Sequence, residues 1–311
     1  MLFRSRRRTK VLGKPILLNI EPTSACNLRC PLCPTGREEL GRPTCFMPLD
    51  MFKQCIDELG STLMEIGVAN YGEPMLHPDI FEMLAYAKAA CPTVFMASNA
   101  HFLNEESARK LVESGLDRVW ISFDGTDQAT YETYRVRGDL EKVREGVTTL
   151  LAQRKALGRT NPYIELQFLV MKHNEDQMET FREQAKAIGA DGCVIKPVSF
   201  NVADWDDADT RETFGRFFPT LEEYQVYRRE GDDWKWKRDE LDFCTAPWRT
   251  MTVLADGNIV PCCRDPHGHY VMGNVADGVL NVWNGAKFQA FRKAMTEKRD
   301  SMPICRVCPG E

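Results

Sequence analysis

Three cysteines stand within eight residues in Cys26-Asn-Leu-Arg-Cys30-Pro-Leu-Cys33, spaced C-x3-C-x2-C. Thiolates hold the irons of iron–sulfur clusters, and a full set is four. A local set of three can take three irons of a four-iron cluster and leave the fourth open to an outside ligand. A single zinc ion would want a fourth ligand close by, and none stands locally. Pro31 and Pro34 stiffen the loop, which suits a pre-formed cradle. A second set is spread along the C-terminal part: Cys244, then Cys262, then Cys305-x2-Cys308. Four thiolates saturate a second [4Fe-4S] cluster, although Cys-x2-Cys alone also permits a zinc-ribbon site. Cys263, beside Cys262, is a spare thiol: a redundant neighbour or a hydrogen-atom donor. Packing is the default role of Cys55, Cys91 and Cys193, since cysteine is among the most buried residue types.

Other groups capable of chemistry fall where strands end. In Tyr71-Gly72-Glu73-Pro74, the glycine lets the backbone approach a ligand closely and the carboxylate can accept hydrogen bonds from an ammonium group. In Ile121-Ser122-Phe123-Asp124-Gly125, Ser122 and Asp124 face the same way by strand alternation. In isolation this would be an ordinary Asp-Gly turn. Ser98-Asn99 closes another apolar run.

The elements that must position these groups alternate. Apolar patterning predicts strands over 16–20, 63–69, 93–97, 118–123, 163–170 and 192–196. Helices are predicted between them over 49–59, 79–90, 104–114, 140–157 and 175–188, with Asn104 as a cap and Gly115, Gly158 and Gly189 as stops. Such alternation argues for an α/β fold with a parallel sheet and outer helices. Six units fall short of the eight of a full barrel, so the natural closure is a partial (β/α)6 TIM-like barrel, with its site at the carboxyl ends of the strands. Residues 1–14 read as a basic, solvated tail, 15–200 as the core, 201–240 as a linker covering the barrel, and 241–311 as a small cysteine-bearing domain. The acidic patch Asp204, Asp206, Asp207 and Asp209 lacks the glycine and closing glutamate of a calcium loop. Asp256-Gly257 is a hairpin turn between apolar runs.

Taken together, the cysteine triplet and the strand-end words resemble the radical S-adenosylmethionine (radical SAM) superfamily. The words Asp256-Gly-Asn-Ile-Val-Pro-Cys262-Cys263, Gly273-Asn-Val and Asn281-Val-Trp-Asn-Gly-Ala-Lys-Phe288 resemble its SPASM/Twitch extension. The resemblance implies that Gly72, Glu73 and Pro74 stand for the motif holding the SAM amino group, with Tyr71 replacing its first glycine. It implies that Ser122 and Asp124 lie near the SAM ribose and carboxylate. It aligns Ser98-Asn99 with a Thr-Asn-Gly element in which Ala100 replaces the glycine. Gln167 and Ile195 are SAM contacts by position only. The ligand sets so implied are Cys26, Cys30 and Cys33 for the SAM-binding [4Fe-4S] cluster, and Cys244, Cys262, Cys305 and Cys308 for one auxiliary [4Fe-4S] cluster. The implied chemistry is reductive cleavage of SAM to methionine and a 5′-deoxyadenosyl radical that abstracts hydrogen from substrate. The cluster count is similar to that of the 2-deoxy-scyllo-inosamine dehydrogenase family, which suggests a sugar or aminocyclitol-like substrate oxidised with the help of the auxiliary cluster. Epimerases with a returning thiol, for which Cys263 is the candidate, and peptide-modifying maturases share the architecture. A plain Fe–S electron carrier would need no SAM motifs. The fourteen residues before the first strand are few for a peptide-binding extension.

Bulk properties narrow the partners. The chain has 311 residues, 43% of them hydrophobic, and a formal net charge of -5. With no pervasive basic balance, this argues against an extended nucleic-acid surface. No run approaches the roughly 18 apolar residues that span a bilayer. Twelve cysteines without an export signal read as metal ligands rather than disulfides in a cytoplasmic setting. The expected partners are a small-molecule substrate, with a peptide as the alternative, and a flavodoxin or ferredoxin as electron donor. Arg137, Gln167, Trp248 and Arg264 are candidates to face the substrate.

Overall fold

A computed structural model describes residues 8–199, 208–231, 233–237, 244–299, 302–306 and 308. The six predicted strands form: β1 (Leu17–Ile20), β2 (Glu65–Val68), β3 (Thr93–Ser98), β4 (Arg118–Ser122), β5 (Tyr163–Val170) and β6 (Gly192–Pro197). They pair in chain order and in parallel. Helices α1 (Leu49–Leu59), α2 (Ile80–Ala90) and α3 (Glu105–Glu113) cover the first half of the sheet. Beyond them come α4 (Gln128–Tyr134), α5 (Leu140–Ala156) and α6 (Met178–Ile188). The short α4 escapes the sequence reading because seven residues carry too little periodicity. Asn104 caps α3 through a reciprocal capping box with Ser107, and Gly189 ends α6 in the left-handed region at φ 86°.

The alternation along the strands decides which side chains reach the barrel interior. In β5, Ile164, Leu166, Phe168 and Val170 are buried under the helices, while Glu165, Gln167 and Leu169 face inward. Phe168 packs on Phe181 of α6 at 5.0 Å between ring centroids, which fixes that side as the helix side. Ile195 lies beside Phe168 in the β5–β6 ladder and packs into the same core.

The second cysteine region joins this sheet. Strand β9 (Thr250–Val253) pairs with β1 in parallel, and the Asp256-Gly257 turn returns the chain as β10 (Asn258–Val260). With β11 (Gly273–Asn274), the nine strands run in the order β11-β10-β9-β1-β2-β3-β4-β5-β6. The C-terminal helices α8 (Val279–Trp283) and α9 (Ala286–Glu297) close that end. The architecture is α/β: a mostly parallel partial barrel extended by the small C-terminal unit. No helix among the described residues is long and apolar enough to cross a membrane.

Two expectations change. Residues 8–14, mostly exposed as expected, are not a free tail but are strapped to the C-terminal helices. Trp283 donates its indole N–H to the Gly13 carbonyl, Val11 exchanges hydrogen bonds with the Asn284 side chain, and Arg292 donates to the Thr9 carbonyl. Cys193 is exposed rather than packed, because β6 is the edge strand and its start is left uncovered. Cys55 and Cys91 are buried. The expected linker carries α7 (Ala208–Phe217) and the hairpin of β7 (Tyr227–Glu230) and β8 (Asp233–Trp236). Trp234 of that hairpin packs on Phe214 and Phe218, and the three belong to the apolar cluster that also contains Cys30 and Cys244. Asp209 opens α7 near Arg37, whereas Asp204, Asp206 and Asp207 lie outside the described residues.

Trp283 is the most voluminous fully buried side chain, stacked under the Arg292 guanidinium at 4.3 Å. Trp283→Ala should cost about 3–5 kcal/mol in denaturant unfolding. It should also raise amide exchange at Val11, because the strap loses an anchor.

Candidate radical-generating site

The loop after β1 is held on several sides. Glu73 donates its N–H to the Ala25 carbonyl, Ser24 to the Cys45 carbonyl, and Arg29 to the Val136 carbonyl. An added Cβ at Gly36 would lie 2.5 Å from the Cys30 backbone, so only glycine lets the loop fold this tightly. Cys26, Cys30 and Cys33 are buried or half-buried among Leu28, Leu32 and Tyr134. Burial pushes the Cys26 thiol up to about 11 and the Cys30 thiol to about 12. They ionise only against a compensating positive charge such as iron. Donors to the sulfurs are already placed. Leu28 N–H points at Cys26 Sγ at 3.4 Å and Arg135 Nη1 at Cys30 Sγ at 3.7 Å. Three thiols on one loop, with no fourth ligand beside them in the sequence, suit a cube taking each thiolate on its own iron better than they suit zinc. The loop therefore fits a four-iron cluster.

The strand-end groups are arranged differently from the expectation. Gly72 (φ 85°) makes a close approach, but to the loop itself: a Cβ there would sit 2.2 Å from the Thr23 carbonyl oxygen. Glu73 is buried and its carboxylate is taken up by the protein. It accepts from Ser98 Oγ and Asn99 N at 2.7 Å each and from Met75 N at 3.1 Å. Burial raises its pKa against those bonds. Pro74 opens the short turn Pro74–Leu76 below it. Asn99 reaches on to Asn27 within the cysteine loop at 2.8 Å. Glu73, Ser98 and Asn99 thus form one tether from two strand ends to the loop. Ala100, which stands where the resembled motif has glycine, keeps a left-handed backbone at φ 63°.

Asp124 is fully buried and its carboxylate is taken up by the protein, beside the Cys30 side of the loop. It pairs with Arg135 at 2.5 Å and accepts from Leu169 N at 2.7 Å. Ser122 and Gln167 stand side by side in the β4–β5 ladder and do face inward; Gln167 donates to Glu165 at 2.9 Å. Ile195 does not face inward: the alternation turns it to the helix layer and turns Lys196 in, where its ammonium lies 5.3 Å from the Trp120 ring. Arg137 is exposed, and Trp248 donates to the Arg8 carbonyl.

The second set of cysteines gathers in space despite its spread in sequence. Electrostatically, Cys262 feels Cys263, Cys305 and Cys308, and Cys305 feels Cys308 and Cys244. Burial raises the Cys262 thiol strongly and the Cys305 thiol to about 12. Cys308 N–H donates to the Cys305 carbonyl at 3.2 Å, and its own carbonyl accepts from Arg299. Four thiols that neighbour one another in this way, two buried and two half-buried, can supply the ligands of a second cluster. Between the two sets lies a cavity of about 500 Å³. Its wall includes Cys33 on one side and Cys244, Cys262, Cys263 and Cys308 on the other, with Tyr71 and Arg264 between them.

Sequence reasoning missed Arg135, Lys196 and the inward-facing Trp120. Arg135 lies eleven residues past Asp124 with no motif around it, so only the fold brings it to Asp124 and Cys30. Arg135→Gln should leave Asp124 buried without its cation and cost about 3–5 kcal/mol of stability. Adding Asp124→Asn should recover much of that, as read by thermal unfolding of the apoprotein.

Comparison with known proteins agrees with this geometry. Residues 20–185 match the radical SAM superfamily, and residues 244–309 match the SPASM iron–sulfur cluster-binding domain. The chain is 32% identical to the AdoMet-dependent heme synthase of Methanosarcina barkeri, over 95% of this chain and 90% of that one. It is 26% identical to the mycofactocin maturase MftC of Mycobacterium tuberculosis, covering 91% and 74%. In structure it resembles BtrN in complex with AdoMet and 2-DOIA, with a TM-score of 0.55, 16% identity and coverage of 96% and 94%. It also resembles SuiB of Streptococcus suis bound to S-adenosylmethionine, with a TM-score of 0.65, 15% identity and coverage of 99% and 75%. The chain belongs to the radical SAM superfamily: it is an enzyme that binds S-adenosylmethionine and a [4Fe-4S] cluster, and it carries a SPASM domain for auxiliary iron–sulfur binding.

Proposed function

We propose that the protein is a radical SAM oxidoreductase acting on a small molecule held in the cavity between its two cysteine sets. The observation that carries this reading is that one cavity of about 500 Å³ touches both Cys33 and the C-terminal thiols. That volume suits a compact ligand, such as a sugar or aminocyclitol, rather than an extended chain.

In this reading Cys26, Cys30 and Cys33 hold the SAM-binding cluster, and Cys244, Cys262, Cys305 and Cys308 hold the auxiliary one. When bound, the cluster and SAM supply reductive carbon–sulfur cleavage and hydrogen abstraction. The protein's own residues do the rest. Glu73, with Ser98 and Asn99, fixes the SAM-side strand ends against the loop. Ser122 and Gln167 present polar groups to the barrel interior, where SAM binds. Arg135 offsets negative charge at Cys30. Tyr71, Tyr134 and the Cys262–Arg264 loop wall the cavity and exclude water. An auxiliary cluster with four protein thiolates leaves no open iron for substrate, so its role is to accept the second electron. A low-potential flavodoxin or ferredoxin in the cytoplasm would supply the first.

A second reading is favoured by one observation: Cys263 lines the same cavity. A thiol there could return hydrogen to a substrate radical, giving epimerisation instead of net oxidation. Peptide substrates remain the third form, since relatives include a maturase and a precursor-peptide-bound structure.

With reconstituted, reduced protein, SAM should be turned over to 5′-deoxyadenosine at a rate that substrate stimulates. Dehydrogenation predicts product without deuterium from heavy water and near-normal turnover of Cys263→Ala. Deuterium in the product together with a dead Cys263→Ala variant would replace oxidation by epimerisation. Absence of 5′-deoxyadenosine under all conditions would overturn the proposed chemistry.

A further inference from the structure

Glu21 follows β1 and is wholly buried, yet it is no part of either cysteine set. Its carboxylate is a junction of four segments. Arg42, from the tail of the first cysteine loop, donates Nη2 to Oε1 at 2.7 Å and to Oε2 at 2.8 Å. Tyr71 N–H donates to Oε2 at 3.3 Å, immediately before Gly72-Glu73, and Asn70 Nδ2 lies at 3.5 Å. Ala255 N–H, at the end of β9, donates to Oε1 at 3.2 Å. Arg42 carries the connection further, because its Nε donates to the Pro266 carbonyl at 2.6 Å, just beyond the Cys262–Arg264 loop. Tyr71, Cys262, Cys263 and Arg264 are all wall residues of the cavity between the cysteine sets.

We propose that the Glu21–Arg42 pair is a positioning device that holds the SAM-side strand end and the auxiliary-cluster loop in register across the cavity. Main-chain donors on both sides converge on one carboxylate, so the two walls are referenced to a common point. Side-chain truncation at either wall would leave that reference intact, whereas loss of the carboxylate charge releases both together. The device rests on the superfamily membership and not on which substrate is turned over.

The charge of Glu21 is poised to matter. Burial raises its pKa to about 7, against the pull of Arg42 and the donors from Ala255 and Tyr71. The titratable and charged groups that face it are Arg42 and Cys45 on the loop tail, and Cys45 in turn faces Asp256 of the hairpin. Two consequences have opposite signs. The fold favours the protonated acid, so the stability contribution of this group is present at low pH and lost as pH rises through about 7. The charge-assisted bonds to Arg42 and Tyr71 need the carboxylate, so positioning is present above about 7 and lost below it.

The test uses the fully reconstituted holoenzyme and SAM alone, between pH 6 and 8.5. SAM affinity is read from the change in the EPR signal of the reduced N-terminal cluster, and uncoupled turnover from 5′-deoxyadenosine. In the wild type, SAM affinity should rise through about pH 7. Glu21→Gln, at full iron content, should bind SAM about tenfold more weakly at pH 8, with a flat pH profile. It should also show faster amide exchange at 255–268. Wild-type affinity and an unchanged pH profile in Glu21→Gln would overturn the proposal. Should that variant fail to load iron, Arg42→Lys decides, because it keeps the charge at Glu21 but loses the bond to Pro266. Retained SAM affinity and pH profile with faster exchange at 262–268 support the device. Unchanged exchange there refutes it. Failure of the wild type to cleave SAM would instead strike at the superfamily chemistry.

Discussion

Strand β1 is hydrogen-bonded on both edges, to β2 on one side and to β9 on the other. Everything at the candidate site depends on that double ladder. Backbone pairing in a sheet interior satisfies every donor and acceptor along a strand and leaves little freedom to shift. The loop leaving β1 is therefore delivered to one place, between the strand end carrying Tyr71-Gly72-Glu73 and the hairpin leading to Cys262. A cysteine triplet on a loose surface loop could bind metal. One leaving a doubly paired strand can face a defined cavity.

Burial then sets the chemistry of the groups so delivered. Thiols at Cys26, Cys30, Cys262 and Cys305 are all pushed toward the neutral form by desolvation. Such sites are costly to ionise without a bound cation, so cluster assembly and local order should be coupled. The carboxylates follow the same logic with different partners. Asp124 has Arg135, Glu21 has Arg42, and Glu73 has two backbone N–H groups and the Ser98 hydroxyl. Buried charges persist only when paired or multiply hydrogen-bonded, and each of these three is.

The C-terminal unit is part of this arrangement rather than an appendage. It adds strands to the same sheet, receives the strap of residues 8–14, and shares an apolar cluster with the first cysteine loop through Cys30, Cys244 and Cys305. Sharing one sheet fixes the distance between the two cysteine sets more tightly than a linker could. A cavity lined by both is the direct result.

Local information in the sequence was enough for the βα alternation, for the cysteine spacing, for the caps at Asn104 and Gly189, and for the Asp256-Gly257 turn. Each of these is decided by neighbours within a few residues. The spacing of Cys26, Cys30 and Cys33, together with the strand-end words, carried the superfamily, because a three-thiol loop followed by those words has few other uses. What only the tertiary structure decided was direction and partnership. Ile195 and Lys196 are adjacent in sequence, and the register of β6 against β5 alone determines which of them faces the interior. Glu73 reads as a ligand group from its motif, and only the fold shows that Ser98, Asn99 and Met75 also hold its carboxylate. Arg135, Arg42 and Glu21 carry no motif, because their meaning lies in pairings eleven to more than two hundred residues away. Desolvation and charge pairing depend on what the whole chain packs around a group, and no local pattern of residues encodes that.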